Sequence, residues 1–267
     1  MSPAATLLEA LEPLRAHAER SAVLLDVDGT LAPIVRHEAD AHVSEATRGL
    51  VIEISKRYGV VACVSGRRAA TARQLVSIGS IAYIGNHGAE LLRAGSASAE
   101  LDPEAAEWKP RVWAFVDSAW TERLRRLRVR TEDKDAIAAF HWRGTPDEPA
   151  AELAVRELAG QAEEAGLATH WGRKVLEVRP PVALDKGRGV HALLRDADVD
   201  AAIYVGDDTT DLDAFRALRE LVATGHLRYA LCVGVCSEET PTELERTADL
   251  LVEGTPGVRG VLEALTS

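Results

Sequence analysis

LLDVDGTLAP, running from Leu24 to Pro33, places two carboxylates, Asp26 and Asp28, directly after an apolar run that reads as a buried strand. In an extended chain the side chains at i and i+2 point the same way, so both carboxylates can converge where the strand meets Gly29 and Thr30. Alone, an Asp-x-Asp reads as a solvated turn, because short motifs have high false-positive rates. The strand it terminates belongs to a longer rhythm. AVLLDV (22–27), GVVACV (59–64) and IAYIG (81–85) alternate with helical stretches, the first of them SEATRGLVIEISKR. Helix, AAIYVG (201–206), helix, ALCVGV (230–235), a short helix, DLLV (249–252) and a last helix follow from about residue 186. Apolar runs of four to six residues between helices are the signature of buried parallel strands. Both ends of the chain are therefore expected in one α/β, Rossmann-like, doubly wound parallel sheet.

The middle of the chain has a different pattern. Trp113, Val116, Trp120, Leu124 and Leu127 step by three or four and predict one amphipathic helix; Val155, Leu158, Ala162 and Ala165 predict a second. Strand-like segments follow each: RVRTED and DAIAAFHWR after the first, LATHW and KVLEVRP after the second. This predicts an inserted α+β domain over 93–180, flanked by core segments 1–92 and 181–267. AGSASAE (94–100) and RPP (179–181) bound it as hinges over which one domain would close on the other.

Composition narrows the function. The chain has 267 residues, 46% of them hydrophobic, enough to bury a sizeable core. Its 31 Lys+Arg against 42 Asp+Glu give a net charge of -11, which argues against a broad electrostatic grip on nucleic acid or anionic membrane. Glu9, Glu12 and Arg15 interrupt the first leucines, so a secretory signal is not expected there, and a helix at 4–19 reads as a packing element. Cys63, Cys232 and Cys236 lack zinc-type spacing and read as reduced residues of a cytoplasmic protein.

Three further motifs change the reading of Asp26 and Asp28. ACVSGRR ends a strand with Ser65 and Gly66, a hydroxyl and an exposed N–H where a helix begins, suited to a phosphate oxygen. LDKGRGV sets Lys186 at a helix start, where its ammonium could neutralise phosphate charge. YVGDDTTDLDAF crowds Asp207, Asp208 and Asp211 onto one tight loop, and hard oxygen ligands suit Mg²⁺.

Together, in this order, the four pieces resemble the motifs of the haloacid dehalogenase (HAD) superfamily of phosphohydrolases. The insert between SGR and DKG resembles that superfamily's larger cap. The resemblance implies that Asp26 attacks phosphorus and forms an aspartyl-phosphate, while Asp28 protonates the leaving alkoxide and then takes a proton from water. It implies Mg²⁺ held by Asp26, the Asp28 backbone carbonyl and Asp207, with Asp208 or Asp211 binding directly or through water. Lys186, Ser65 and Thr30 would complete the anion cradle.

YIGNHGAE (83–90), EDK (132–134) with HWR (141–143), GRKVLEVRP (172–180) and GDDTTDLDAF narrow the resemblance to the trehalose-6-phosphate phosphatase family, over about residues 22 to 260. In that family the cap residues matching Glu132, Lys134, Arg143 and Glu177 contact the disaccharide, with Lys174 a weaker addition. The segment matching Asn86, His87 and Gly88 lies near the sugar phosphate. Leu212 departs from the family, which usually has an acidic residue there. The implied partner is a small sugar phosphate, with room for functional coupling to a trehalose-6-phosphate synthase. Two alternatives stand beside this: a phosphatase for a sucrose or glycosyl-glycerate phosphate, and a catalytically silent sugar-phosphate-binding domain.

Overall fold

The computed structural model describes residues 3–35, 40–238 and 240–267. Its chain forms two compact units, one built from Met1–Glu100 and Leu184–Ser267, the other from Leu101–Ala183.

The first unit begins with α1 (Pro3–Ala16), β1 (Ser21–Asp26), α2 (Glu45–Ile54), β2 (Val60–Val64), α3 (Ala69–Val76), β3 (Ala82–Gly85), β4 (Glu90–Leu92) and β5 (Glu100–Leu101). The inserted unit carries α4 (Pro103–Ala119), α5 (Glu122–Arg126), β6 (Arg130–Lys134), β7 (Ile137–His141), α6 (Glu148–Glu164), β8 (Ala168–Gly172) and β9 (Val175–Arg179). The chain then returns through α7 (Lys186–Leu194), β10 (Ala201–Gly206), α8 (Asp211–Ala223), β11 (Tyr229–Cys236), α9 (Thr242–Thr247), β12 (Leu250–Glu253) and α10 (Gly254–Thr266).

Among the described residues, the first unit's sheet has eight strands in the order β12-β11-β10-β1-β2-β3-β4-β5. From β12 to β3 every pairing is parallel. All six residues of β1 are buried, as expected of a strand covered on both faces. Alternation sorts its side chains: Val23 and Leu25 join a cluster with residues of α1, α2, α3 and α10, while Ala22 and Leu24 join one with residues of α7, α8 and α9. The chain leaves β1 toward β2 on one side and reaches β10 on the other, so the β1/β10 border is the sheet's topological switch point. Ligands of open α/β sheets bind outside the carboxyl ends of the strands at such a point. Leu212, the departure noted in the sequence, is buried in the second cluster and fills core there.

β4 and β5 were not anticipated. β4 runs antiparallel to β3, with Ile84 opposite Leu91 and Gly85 opposite Glu90, and the tight turn at Asn86–Gly88 joins them. The repeated small residues of 94–99 masked the return to the sheet edge at Glu100.

The inserted unit has a four-stranded antiparallel sheet, β6-β7-β9-β8. One face is apolar: Ala138, Phe140, Leu176 and Val178 pack with Val112, Val116, Val155, Leu158 and Ala162 of α4 and α6. The expected single helix through Trp113 and Leu127 is two helices. Thr121 interrupts it by accepting the Leu124 N–H with its hydroxyl at 3.4 Å, so that α5 starts with its own cap. No helix among the described residues is long and apolar enough to cross a membrane.

Candidate active site

Asp26 is the last residue of β1 and only 4% exposed. Beyond it the chain folds into a tight loop, with the Leu31 and Ala32 N–H groups donating to the Val27 carbonyl at 3.0 and 2.8 Å. Gly29 makes the loop at φ +94°, and a Cβ there would lie 2.0 Å from Asp207 Oδ2. Glycine is thus required twice, by the backbone and by the carboxylate beside it.

Lys186 opens α7, whose start is fixed by Asp185 Oδ1 accepting the Arg188 N–H at 2.8 Å. Its buried ammonium donates to Asp26 Oδ1 at 2.7 Å and to Asp211 Oδ1 at 2.6 Å. Burial would push that ammonium down, but Asp211 and Asp26 outweigh it and hold it above its ordinary value. Asp26 is shifted the other way. Burial raises its carboxyl well above the usual range against the pull of Lys186, and the charges of Asp211 and Asp207 add to the rise. Asp207 is pushed up to about 6 by burial and by Asp211. One lysine does not compensate this many carboxylates.

Asp211 has no oxygen to spare. Oδ1 accepts from Lys186 and from the Tyr204 hydroxyl, each at 2.6 Å, and Oδ2 accepts the Asp207 and Asp208 N–H groups at 3.0 and 2.9 Å. Its geometry is that of a brace for the loop after β10. Asp208 Oδ1 accepts from the Thr209 N–H and hydroxyl on the exposed side. Asp26 Oδ2, by contrast, is buried with no hydrogen-bond donor among the described residues. Ligand oxygens of Asp26, Asp207 and Asp211 lie within 4.8 Å of one another. With Asp211 committed, Asp26 and Asp207 carry the open oxygens, and an orphaned carboxylate oxygen among hard donors fits a divalent cation.

Ser65 follows β2 and is 1% exposed. Its hydroxyl oxygen accepts the Arg67 N–H at 3.1 Å, which leaves its own proton for an anion. Thr30 donates to Asp207 Oδ1 at 3.4 Å. Gly66 lies against the His87 ring, where a Cβ would sit 2.6 Å from Nε2. The Asn86–Gly88 turn is held from below by Glu90, a buried residue absent from the expected site. Its carboxylate accepts from Asn86 Nδ2 at 2.9 Å and from the Ala69 N–H at the start of α3 at 2.8 Å. Gly88 lets the turn touch α7, since a Cβ there would meet the Asp185 carbonyl at 2.0 Å. The expected core residues thus gather at the carboxyl ends of β1, β2, β3 and β10. Tyr204, Arg67 and Glu90 were missed. Tyr204 reads as apolar strand filler, and Glu90 lies in a segment read for its turn.

On the inserted unit, strand register sets Glu132, Ala139, Glu177 and His170 side by side across the sheet's second face. Lys134, His141 and Arg179 lie two residues away on the same face. Glu177 Oε1 accepts from Lys134 Nζ at 2.8 Å, and Oε2 accepts from Arg179 Nε at 2.8 Å. Burial pushes Glu177 up, but Arg179 and Lys134 more than offset it and hold the carboxyl at about 2. Glu132 is lowered by its hydrogen bond with His141. Arg143 and Lys174 stand apart from this cluster. Arg143 Nη2 donates to the Arg173 carbonyl at 3.0 Å, and Lys174, in a left-handed turn conformation at φ +63°, pairs with Glu148 at the start of α6.

A family model described as Trehalose-phosphatase matches residues 24–246. The probable trehalose-phosphate phosphatase 4 of Oryza sativa subsp. japonica is 30% identical over 217 residues, 77% of this chain and 58% of that protein. The chain therefore spans little more than half that relative's length. The C-terminal domain of C. albicans trehalose-6-phosphate phosphatase superposes with a TM-score of 0.69 at 22% identity, covering 98% of this chain and 96% of that one. The C-terminal domain of a Candida albicans trehalose synthase regulatory protein gives 0.65 at 16% identity, covering 97% and 98%. At such identities the likeness speaks for fold, and the fold is common to a phosphatase and a regulatory protein. What decides membership is the family match over residues 24–246, which runs from β1 past β11, and by it the chain belongs to the trehalose-phosphatase family.

Proposed function

We propose that this protein hydrolyses trehalose 6-phosphate to trehalose and phosphate through an aspartyl-phosphate on Asp26, with Mg²⁺ as its cation. The observation that carries this reading is the buried, undonated Oδ2 of Asp26, in a cluster that also holds a lysine and a second open carboxylate. A carboxylate oxygen without a donor keeps its nucleophilicity, while Lys186 anchors its twin. Asp26 attacks phosphorus, and Asp28 hands a proton to the leaving sugar oxygen. Asp28 then takes a proton from the water that displaces Asp26. Ser65 and Lys186 bind phosphate oxygens. Mg²⁺, held by Asp26, Asp207 and the Asp28 carbonyl, would lower the repulsion between carboxylate and phosphate. On the inserted unit, the cap of this reading, Glu132, Lys134 and Glu177 recognise sugar hydroxyls, which suit carboxylates flanked by cationic donors. Arg143 and Lys174 are proposed as outer contacts.

Another sugar phosphate is the alternative, and a silent regulatory domain is the second, since the fold serves both roles. The intact nucleophile, lysine and metal-type cluster speak for catalysis. The same reading takes the enzyme as cytoplasmic, in keeping with its three free cysteines, and leaves coupling to a synthase as a further proposal.

Phosphate release should be measured over a panel of sugar phosphates. Trehalose 6-phosphate is expected to give the highest kcat/KM. Chelator should abolish activity and Mg²⁺ restore it, with Ca²⁺ poor because its longer, more numerous bonds disturb in-line geometry. Asp26→Asn should fold and lose turnover. Steady release by that variant would remove aspartyl catalysis, and a different best substrate would remove the trehalose assignment alone.

A further inference from the structure

The tandem arginines that open the α3 region point at different carboxylates. Arg68 Nε lies 3.4 Å from Glu90 Oε1, part of the brace under the Asn86 turn. Arg67 instead grips Asp28 with two parallel bonds, Nε to Oδ2 at 2.8 Å and Nη2 to Oδ1 at 2.7 Å. The Asp28 side chain is 40% exposed, while that of Arg67 is 12% exposed. A carboxylate so open would ordinarily sample several rotamers. Arg67 removes that freedom, and its own backbone is fixed at both ends: the N–H donates to Ser65 Oγ at 3.1 Å and the carbonyl accepts from the Asn86 N–H at 2.7 Å. A planar fork anchored in this way sets the plane of the carboxylate as well as its position.

We propose that Arg67 is the positioning residue for Asp28, holding the carboxylate in the orientation from which it exchanges protons during turnover; this rests on the phosphatase reading above. In the first half, a bond forms from Asp26 oxygen to phosphorus as the ester P–O bond breaks, and the Asp28 proton goes to the leaving oxygen. In the second, water oxygen bonds to phosphorus as the Asp26–phosphorus bond breaks, and the proton of that water goes to Asp28. The sum is ester plus water giving alcohol plus phosphate. Arg67 touches neither reacting atom in this scheme and acts only through Asp28.

The test uses the full chain with Mg²⁺, wild type against Arg67→Met and Arg67→Lys, with circular dichroism on each. On trehalose 6-phosphate, Arg67→Met is expected to lower kcat about 100-fold, the scale of loss for a misplaced proton-transfer group, with KM little changed. Arg67→Lys, which keeps the charge and loses the fork, should fall between. On p-nitrophenyl phosphate the nitrophenolate needs no proton to leave, but the second-step water still needs a base. Arg67→Met should therefore release a first equivalent of nitrophenol at near the wild-type rate and then turn over slowly. In an Asp28→Asn background, Arg67→Met should cause no further loss. A raised KM, a slowed first release, or a loss that adds to that of Asp28→Asn would overturn the inference and make Arg67 a phosphate ligand. A wild type that hydrolyses neither ester overturns the phosphatase reading and this inference with it.

Discussion

Glu177 is paired inside its sheet and is proposed to recognise the sugar, and the two roles separate by measurement. Its carboxylate, held at about 2 against an ordinary 4.5, is paired with Lys134 and Arg179 on a sheet otherwise sealed by apolar packing. A depressed carboxylate contributes stability that is complete above its unfolded value and is lost as pH falls through the folded one. Glu177→Gln should therefore destabilise the inserted unit by roughly 2–4 kcal/mol at pH 7, and the gap to wild type should close between about pH 4.5 and 2. Urea unfolding followed by tryptophan fluorescence across that range checks it, and a gap that persists at the acid end would assign the loss to packing. For recognition, Glu177→Ala should lower kcat/KM for trehalose 6-phosphate about 10- to 150-fold. An aryl phosphate, which has no sugar hydroxyls, should be hydrolysed nearly as before. Equal losses on both substrates would reduce Glu177 to a support of the fold.

At the scale of elements, the loop after β1 is where local geometry and chemistry are hardest to separate. Gly29→Ala forces a side chain into φ +94° and onto the Asp207 carboxylate. The expected cost is about 1–2 kcal/mol of stability, or a Tm lower by about 2–8 °C, with activity falling further because Asp207 must move. Calorimetry and phosphate release on one preparation test this, and an unchanged Tm with full activity would mean the loop relaxes freely. Elements like β1, β2, β3 and β10 were legible because strands buried on both faces leave continuous apolar runs, bounded here by Asp26, Ser65, Asn86 and Asp207. Period two puts Glu132 with Lys134, and Glu177 with Arg179, on one face of each strand; that the two strands present the same face comes only from their register. What escaped had weaker local signals. β4 is three residues in a hairpin whose turn is irregular at His87, φ 53°. The break between α4 and α5 rests on one hydroxyl at Thr121, which apolar periodicity overrides. Arg67 and Tyr204 contact partners 39 and 7 residues away, and no spacing rule links them.

At the scale of the whole molecule, the inserted unit carries its own core. Its apolar cluster shares no residue with the two that sandwich the large sheet, and all four of its strands pair within the unit. A fragment spanning 101–183 is therefore expected to fold alone, though only modestly stable, since a domain of this size buries a limited share of its surface. Cooperative thermal loss of both far- and near-ultraviolet circular dichroism would bear this out; a gradual, non-cooperative loss would mean that its stability depends on the rest of the chain.

The two faces of that smaller sheet have a consequence for how the protein can change. Because side chains alternate, Phe140 and Leu176 face helices while Glu132, His141, His170 and Arg179 lie on the opposite side, interleaved residue by residue with the packed positions. Apart from Glu177 and its partners Lys134 and Arg179, substitutions on the polar side leave the packed side untouched, so those positions can accumulate variation under selection while the fold persists. A combinatorial library confined to Glu132, His141 and His170, with Arg179 kept as the partner of buried Glu177, should remain largely foldable, and a new preference among phosphate esters would be sought there, with the β1 and β10 carboxylates left as inherited.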